Sequence, residues 1–174
     1  DLLGGDLDIL VNAHGIQRRH QPEEFPLSDW DDVISVNLSS VFVLCQEAGR
    51  VMLPKGRGKI INIASMISFF GGQTIPAYAA SKGGIAQLTK ALSNDWAGKG
   101  IQINAIAPGY MATDMNTALL DPANPRYQQI TDRIPAHRWG TPDDMKGICV
   151  FLASPASDYI TGAVIPVDGG YLVK

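Results

Sequence analysis

The sequence has only two cysteines and fewer basic than acidic residues, and each of these features argues against a class of protein. Its two cysteines, Cys45 and Cys149, lie in apolar runs without CxxC or His/Cys spacing. We therefore expect reduced core thiols, with neither a disulfide framework nor a metal site. The net charge of -3 argues against nucleic acid as the main partner, because that binding needs a basic surface.

Long apolar runs are also missing. No run approaches the roughly 18 residues of a membrane span, and the start of the chain lacks a signal-peptide pattern. Hydrophobic residues make up 45% and charged residues 18% of the chain, which is typical of a globular protein. We expect a cytoplasmic protein that forms one domain over residues 1–174 and contacts neither membrane nor nucleic acid.

Short apolar runs alternate with helical patterns along the chain. Strands are predicted at 7–12, 59–65, 101–107 and 163–167. Helices are predicted at 28–53, where Ser28 and Asp31 suggest a capping box, at 76–96, and from "TPDD" at 141–144 onward. Residues 110–135 are predicted to be irregular. The alternation predicts an α/β fold, a parallel sheet with helices on both faces.

Ligands of such sheets bind outside the carboxyl ends of the strands. Ser65 follows the second predicted strand, and "PAYAASKGG" (76–84) places Tyr78 four residues before Lys82 on the next helix. A tyrosine phenol has a pKa of about 10, and a neighbouring ammonium is expected to lower it toward the working range of a base. Ser65 could hydrogen-bond a reacting oxygen. Singly each residue is typical of a turn or a solvated face, but together they favour catalysis.

The combined pattern closely resembles the short-chain dehydrogenase/reductase family. The resemblance rests on Ser65, the Tyr-x-x-x-Lys spacing, the upstream Asn37, "NAHG" (12–15), "APGYMAT" (107–113) and the terminal "VDGG". It implies a Rossmann-like sheet, hydride transfer with NAD or NADP, and a homodimer or homotetramer. The implied catalytic residues are Asn37, Ser65, Tyr78 and Lys82. The implied cofactor-binding residues are Asn12, Gly15, Tyr78, Lys82, Pro108, Gly109 and Thr113.

The resemblance also implies individual roles. Lys82 would hold the nicotinamide ribose, and Thr113 would bind the nicotinamide carboxamide. Asn37 would hold a water that relays protons from Lys82 to solvent. An asparagine in mid-helix is otherwise unfavourable, because its amide competes for backbone hydrogen bonds.

The chain departs from the family pattern in two places. His14 stands where the family usually has alanine, and we interpret it as a tolerated loop substitution rather than a catalytic histidine. The family's opening strand and Gly-x-x-x-Gly-x-Gly turn have no counterpart, and "DLLGG" (1–5) is no such turn. We therefore expect a partial domain whose first strand is an exposed apolar edge. The residues that select NAD or NADP belong to the absent part.

Several stretches narrow the resemblance to the sugar-acid dehydrogenases of the 2-deoxy-D-gluconate 3-dehydrogenase and gluconate 5-dehydrogenase group. This narrower resemblance favours NAD over NADP as the cofactor. A carboxylate substrate needs a cationic clamp. The candidate substrate residues are Arg18, Arg19, Met111 and Arg138, although Arg138 could equally pair with Asp143 or Asp144. Residues 110–140 are the expected substrate lid. Two alternatives stay open, a non-catalytic scaffold or oligomerisation remnant and a ketoreductase of the same family.

Overall fold

The computed structural model describes residues 5–174 and contains a four-stranded parallel sheet. The strands lie in the order β1-β2-β3-β4, with β1 at Ile9–Asn12, β2 at Gly58–Ile63, β3 at Ile101–Pro108 and β4 at Val164–Val167. The register pairs Asn12 with Asn62 and Ala105 with Val164. All four predicted strands and the predicted fold class are confirmed. The stretch "DLLGG" lies almost wholly outside the described residues.

The helix predicted at 28–53 is in fact three segments. Helix α1 spans Leu27–Ile34, a π-helical segment spans Ser35–Ser39, and α2 spans Ser40–Lys55. The Ser28 capping box is wrong, because the helix already begins after Pro26. Pro54 lies within the last turn of α2, which ends at Gly56 with a φ of 66°, a left-handed conformation that glycine adopts without strain.

The other long helices follow the sequence more closely. Helix α3 spans Pro76–Trp96 as predicted, and α6 spans Pro142–Ala153 with the expected Thr141 cap. The prediction that 110–135 is irregular is wrong, since it contains α4 (Thr117–Leu120) and α5 (Pro125–Arg133). The side chain of Asn124 caps α5 by accepting from the amide of Arg126. Six 3-10 turns complete the description: Pro22–Glu24, Met66–Ser68, Ala97–Lys99, Asp114–Asn116, Pro155–Ser157 and Tyr171–Val173.

The sheet is covered on both faces. Residues of α2 and α3, among them Cys45 and Ile85, pack on one face, and Leu152 of α6 packs on Ile61 and Ile106 at the other. Both cysteines are free thiols, but Cys149 is only half-buried. Burial raises the pKa of the Cys45 thiol to about 11, so it stays protonated. No helix within residues 5–174 is long and apolar enough to cross a membrane.

Strand β1 forms one edge of the sheet. Its Ile9 and Val11 side chains are 44% and 43% exposed, as expected for an apolar strand without a neighbour on that side among the described residues. The expectation of an exposed apolar edge is confirmed.

Candidate active site

A cleft of about 250 Å³ opens where β1, β2 and β3 end. Parallel strands present their carboxyl ends at one edge, so the loops after them converge there. Of the predicted residues, the cleft brings together Gly15, Ser65, Tyr78, Lys82, Pro108, Gly109, Met111 and Thr113. His14, Met115 and Asn116 also line it. A Cβ at Gly15 would lie 3.4 Å from Oδ1 of Asn37 and 3.8 Å from Nζ of Lys82, which are ordinary contact distances, so this glycine packs beside both side chains.

Tyr78 lies in the first turn of α3 and is half-buried. Burial raises the pKa of its phenol, while hydrogen bonding with Ser65 and the charge of Arg19 act in the opposite direction. The expected lowering by Lys82 is therefore not what the structure shows. The Lys82 Nζ lies 5.7 Å from the centre of the tyrosine ring. Burial has the largest effect on the pKa of the phenol, and it raises that pKa.

Ser65 is held by the turn that follows β2. Its hydroxyl accepts from the amide of Ile67 at 3.2 Å, and its own amide donates to the hydroxyl of Ser68 at 3.3 Å. Ser68 in turn donates to the carbonyl of Lys82 at 2.7 Å. Ser68 thus links the turn that carries Ser65 to the helix that carries Tyr78. Sequence reasoning missed it, although its position three residues after Ser65 fits a capping box.

Lys82 is 4% exposed, which is unusual for a lysine. Its Nζ donates to the carbonyl of Ile63 at 2.6 Å, at the end of β2. Burial lowers the pKa of the ammonium to about 8. The cleft therefore contains a cation that the fold keeps at a cost in stability.

Replacing this lysine should reveal that cost. We expect Lys82→Met to raise the free energy of unfolding at about pH 7 by about 2 kcal/mol, after the lost bond to Ile63 offsets part of the gain. The folded-state pKa is lower than that of the unfolded chain, so the unfolded state binds more protons between the two values. Wild-type stability should consequently rise between about pH 8 and pH 10, and the gap to the variant should narrow.

Urea titrations at neutral and alkaline pH measure this effect. The matched control is Lys90→Met, an exposed lysine on the same helix, which should change neither the stability nor its pH dependence. A Lys82→Met variant less stable than wild type at neutral pH would contradict the prediction.

Asn37 is in the π-helical segment and is 1% exposed. Its Oδ1 accepts from the amide of Ile16 at 2.8 Å, and its Nδ2 donates to the Ile16 carbonyl at 2.9 Å and to Ser81 at 3.2 Å. These contacts fix the loop after β1. The side-chain amide thus bonds to protein partners, and the expected role of Asn37 in holding a relay water stays a prediction. π-Helical turns often occur at functional sites.

Asn12 is not among the residues that line the cleft. It is 2% exposed, and its Nδ2 donates to Oδ1 of Asn62 at 2.8 Å and to the Cys45 sulfur at 3.4 Å. Asn62 donates onward to Thr89 at 3.0 Å. The predicted cofactor contact of Asn12 is corrected to a structural role under the site. Polar residues inside the apolar runs at 7–12 and 59–65 were the available signal for this network.

The turn after β3 forms the third wall. Pro108, Gly109, Met111 and Thr113 all line the cleft, as predicted. A Cβ at Gly109 would lie 2.7 Å from the Cα of Asp168, so only glycine allows the "VDGG" segment to pack there. The "APGYMAT" motif at the end of β3 and the "VDGG" motif at the end of β4 are therefore in direct contact.

A second, smaller pocket of about 80 Å³ adjoins the first. Its lining adds Arg19, Gln17 and Tyr110, and it shares five residues with the cleft: Ser65, Tyr78, Gly109, Met115 and Asn116. Ser65 and Tyr78 therefore lie on the wall between the two spaces, with Lys82 on one side and Arg19 on the other.

The other candidate substrate arginines lie elsewhere. Arg18 lines neither space; its Nε is 4.0 Å from Asp29. Arg138 forms a two-point ion pair with Asp144, with N···O distances of 2.8 and 2.7 Å. This pair holds the pKa of the Asp144 carboxyl well below its usual range. The substrate role of Arg138 is corrected to the structural ion pair that was its alternative.

Comparison with known proteins identifies the family. A family profile described as "Enoyl-(Acyl carrier protein) reductase" matches residues 3–172. The chain belongs to the short-chain dehydrogenase/reductase family. A 2-dehydro-3-deoxy-D-gluconate 5-dehydrogenase of Bacillus subtilis is 55% identical over 97% of this chain and 66% of its own length. The chain thus spans about two thirds of the curated relatives it matches.

Two solved structures of this family are similar in sequence and fold. An Agrobacterium tumefaciens protein, provisionally named a 2-deoxy-D-gluconate 3-dehydrogenase and solved with bound NADP, has a TM-score of 0.93 and 51% identity. The match covers 96% of this chain and 68% of the Agrobacterium chain. A gluconate 5-dehydrogenase from Burkholderia cenocepacia, in complex with NADP and tartrate, has a TM-score of 0.94 and 46% identity. The match covers 97% of this chain and 66% of the Burkholderia chain.

Proposed function

We propose that the chain carries the proton-transfer and substrate side of an NAD(P)-dependent dehydrogenase that interconverts a secondary alcohol and a ketone in a sugar acid. The observation that carries this proposal is the shared wall: Ser65 and Tyr78 contact both the Lys82 cleft and the Arg19 pocket. A reacting carbon must lie between the hydride acceptor and the acid/base group. The names of the similar proteins support the sugar-acid class.

The residues of the cleft fit the nicotinamide half of the cofactor. Gly15 leaves space beside Lys82 that a Cβ would fill, and the ammonium with its two remaining donors suits ribose hydroxyls. Thr113 lies where it could bind a carboxamide. When bound, the nicotinamide would supply or accept the hydride. Both solved relatives hold NADP, so NADP is the first cofactor to test and NAD the second.

The chain's own residues would move the proton. In the oxidation direction, Tyr78 first loses its own proton, and the ionised phenol then accepts the proton of the substrate hydroxyl as the substrate carbon gives up its hydride and a carbonyl forms. Ser65 would donate a hydrogen bond to the same oxygen and stabilise developing charge. Lys82 would favour the ionised phenol once ligand excludes water from the cleft. In the reduction direction the proton returns from Tyr78 to the oxygen.

The assay is the change in nicotinamide absorbance with 2-dehydro-3-deoxygluconate, 5-ketogluconate or gluconate. It should be run on this chain and on a version extended at its N-terminus to the length of the relatives. Turnover that depends on Tyr78 in either form supports the proposal. If neither the chain nor the extended version shows turnover while both are folded, the result would instead support the scaffold alternative.

Arg19 is the residue that we propose binds the substrate carboxylate, because it lines the pocket beside Tyr78 and Ser65. Arg19→Ala should raise the KM for a sugar acid by about 10- to 100-fold, the loss of a charged hydrogen bond, with the KM for NADP unchanged. Arg18→Ala is the matched control, since its neighbouring guanidinium faces Asp29. Equal effects of the two substitutions on KM would exclude this role.

Three further features belong to the proposal. Residues 110–140 would form the substrate lid, because Tyr110, Met115 and Asn116 border the substrate-side pocket. Exposed apolar side chains on α2, namely Phe42, Val43 and Leu44, would support a homodimer or homotetramer. A cytoplasmic location would suit the free thiols.

A further inference from the structure

Ser65 lies between two contacts that a single residue of α3 makes with the chain around the end of β2. The Nζ of Lys82 donates to the carbonyl of Ile63 at 2.6 Å, two residues before Ser65. The backbone carbonyl of Lys82 accepts from the hydroxyl of Ser68 at 2.7 Å, three residues after Ser65. Tyr78 lies one turn before Lys82 on the same helix. The stretch that carries Ser65 is therefore bonded on both sides to the helix that carries Tyr78.

Ser68 uses its hydroxyl both as a donor and as an acceptor in this arrangement. A serine hydroxyl has one hydrogen, and the Lys82 carbonyl, which can only accept, takes it. The Ser68 oxygen accepts in turn from the amide of Ser65 at 3.3 Å, and the Ser68 amide donates to the carbonyl of Ser65 at 2.9 Å. Both backbone polar groups of Ser65 thus bond to Ser68, which holds Ser65 in an extended conformation with a φ of -163° and a ψ of 160°.

The backbone of Ser65 decides where its hydroxyl lies. The hydroxyl oxygen accepts from the amide of Ile67 at 3.2 Å, which leaves its own hydrogen available to a partner in the cleft. Hydrogen bonding with Ser65 acts to lower the pKa of Tyr78 against the larger effect of burial, so this hydroxyl is within reach of the phenol. Ser68 itself lines neither the cleft nor the smaller pocket. Its influence on the site must therefore pass through Ser65 and through the helix at Lys82.

We propose that Ser68 is a positioning residue, whose hydroxyl ties the turn of Ser65 to α3 and so keeps the Ser65 hydroxyl beside the oxygen that exchanges its proton with Tyr78. The reaction rests on the proposed function, whereas the arrangement of Ser68, Ser65 and Lys82 rests on the distances above. A misplacement of about 1 Å at a reacting group can cost about 10²-fold in rate. A turn released from α3 still reaches the productive position part of the time, so the loss of this bond should cost less than that.

The first test is steady-state kinetics in whichever form of the protein shows turnover, this chain or its extended version. Ser68→Ala should lower kcat for the sugar acid about 10- to 30-fold, with the KM for NADP within about twofold of wild type. Ser68→Thr keeps the hydroxyl, and it should restore kcat to within about threefold of wild type.

Ser154→Ala is the matched control, because Ser154 makes the same two kinds of bond. Its hydroxyl donates to the carbonyl of Phe151 at 2.9 Å and accepts from the amide of Ala156 at 3.3 Å. Both serines are half-buried and lie at a 3-10 turn, but Ser154 lines neither the cleft nor the smaller pocket and has no contact with Ser65. The two alanine variants should lose similar stability in urea, and Ser154→Ala should keep the kcat of wild type.

A second measurement does not depend on turnover. Carbon NMR of tyrosine labelled at Cζ follows the ionisation of Tyr78, whose signal is the one missing from Tyr78→Phe. Because hydrogen bonding with Ser65 lowers the pKa of Tyr78, a Ser65 hydroxyl released from its position should let that pKa rise. The rise is expected in Ser68→Ala and in Ser65→Ala, and it should be absent in Ser154→Ala.

The proposal is overturned if Ser68→Ala keeps the kcat of wild type, or if Ser154→Ala loses as much. It is also overturned if Ser68→Thr, folded as stably as wild type, is as slow as Ser68→Ala, or if the pKa of Tyr78 is the same in wild type and Ser68→Ala. Absence of turnover in wild type would instead count against the dehydrogenase proposal, and the titration of Tyr78 would then decide the role of Ser68.

Discussion

Tyr78→Phe is expected to lower turnover of the sugar-acid substrate by about 10³-fold while leaving the fold intact, the usual contribution of a positioned acid/base group. Tyr78 lines both spaces, as does Ser65, and it carries the titratable group among the residues that the two linings share. Phenylalanine keeps the ring and removes only the oxygen that carries the proton. Because burial raises the pKa of this phenol, the side chain is protonated at neutral pH and ready to act as an acid in the reduction direction.

The pH dependence of the reaction gives this prediction its sharpest form. In the oxidation direction the phenol must first lose its proton, so turnover should increase toward alkaline pH. In the reduction direction turnover should be greater on the acid side. Steady-state rates measured in both directions over a range of pH check this, and Tyr78→Phe should flatten both profiles.

Tyr159→Phe is the matched control, since Tyr159 is fully exposed and lines neither the cleft nor the smaller pocket. It should leave rate and stability unchanged. If Tyr78→Phe retains more than about a tenth of wild-type turnover, the phenol is not the general acid/base group, whose loss should cost at least about 10²-fold.

The strands and the central constellation could be predicted from sequence because both depend on local pattern. A buried parallel strand is a short apolar run, and the polar residue after it marks the ligand edge. Ser65 fits that rule, whereas the pairing of Tyr78 with Lys82 as a catalytic set depends on the resemblance to the family, because i,i+4 pairs are common on helices. The π-helical segment at Ser35–Ser39 was not predicted, because such turns are rare and the flanking stretches at 28–34 and 40–53 both have helical spacing.

The remaining misses concern contacts between distant parts of the chain. Arg18 and Arg19 are adjacent in sequence, but the structure places Arg18 beside Asp29 and Arg19 in the pocket beside Tyr78. The direction of the shift in the Tyr78 pKa depends on burial in the folded protein, which the spacing of Tyr78 and Lys82 on a helix does not describe. Likewise, the helix at Pro125–Arg133 begins with Asn124 and Pro125, a valid start signal, but its polar composition obscured it.

The polar network beneath the site should have the largest effect on stability. Asn62→Ala is expected to lower the free energy of unfolding by about 3 kcal/mol, because it removes buried hydrogen bonds and leaves a small cavity. Asn62 is 0% exposed and joins Asn12 of β1 to Thr89 of α3. Oδ1 of Asn12 already lacks a partner among the described residues, so the loss of Asn62 would leave that amide still less satisfied.

Urea denaturation measures this loss, with Asn94→Ala, an exposed asparagine on α3, as the matched control. A network also predicts coupling: Asn62→Ala combined with Thr89→Val should cost about 1 kcal/mol less than the sum of the two single changes. Simple additivity, or a cost for Asn62→Ala no greater than that of Asn94→Ala, would contradict this account. Since β2 leads to Ser65 and α3 carries Tyr78 and Lys82, the same bonds set the distance between the halves of the site. Turnover should therefore fall in Asn62→Ala even at temperatures where the protein remains folded.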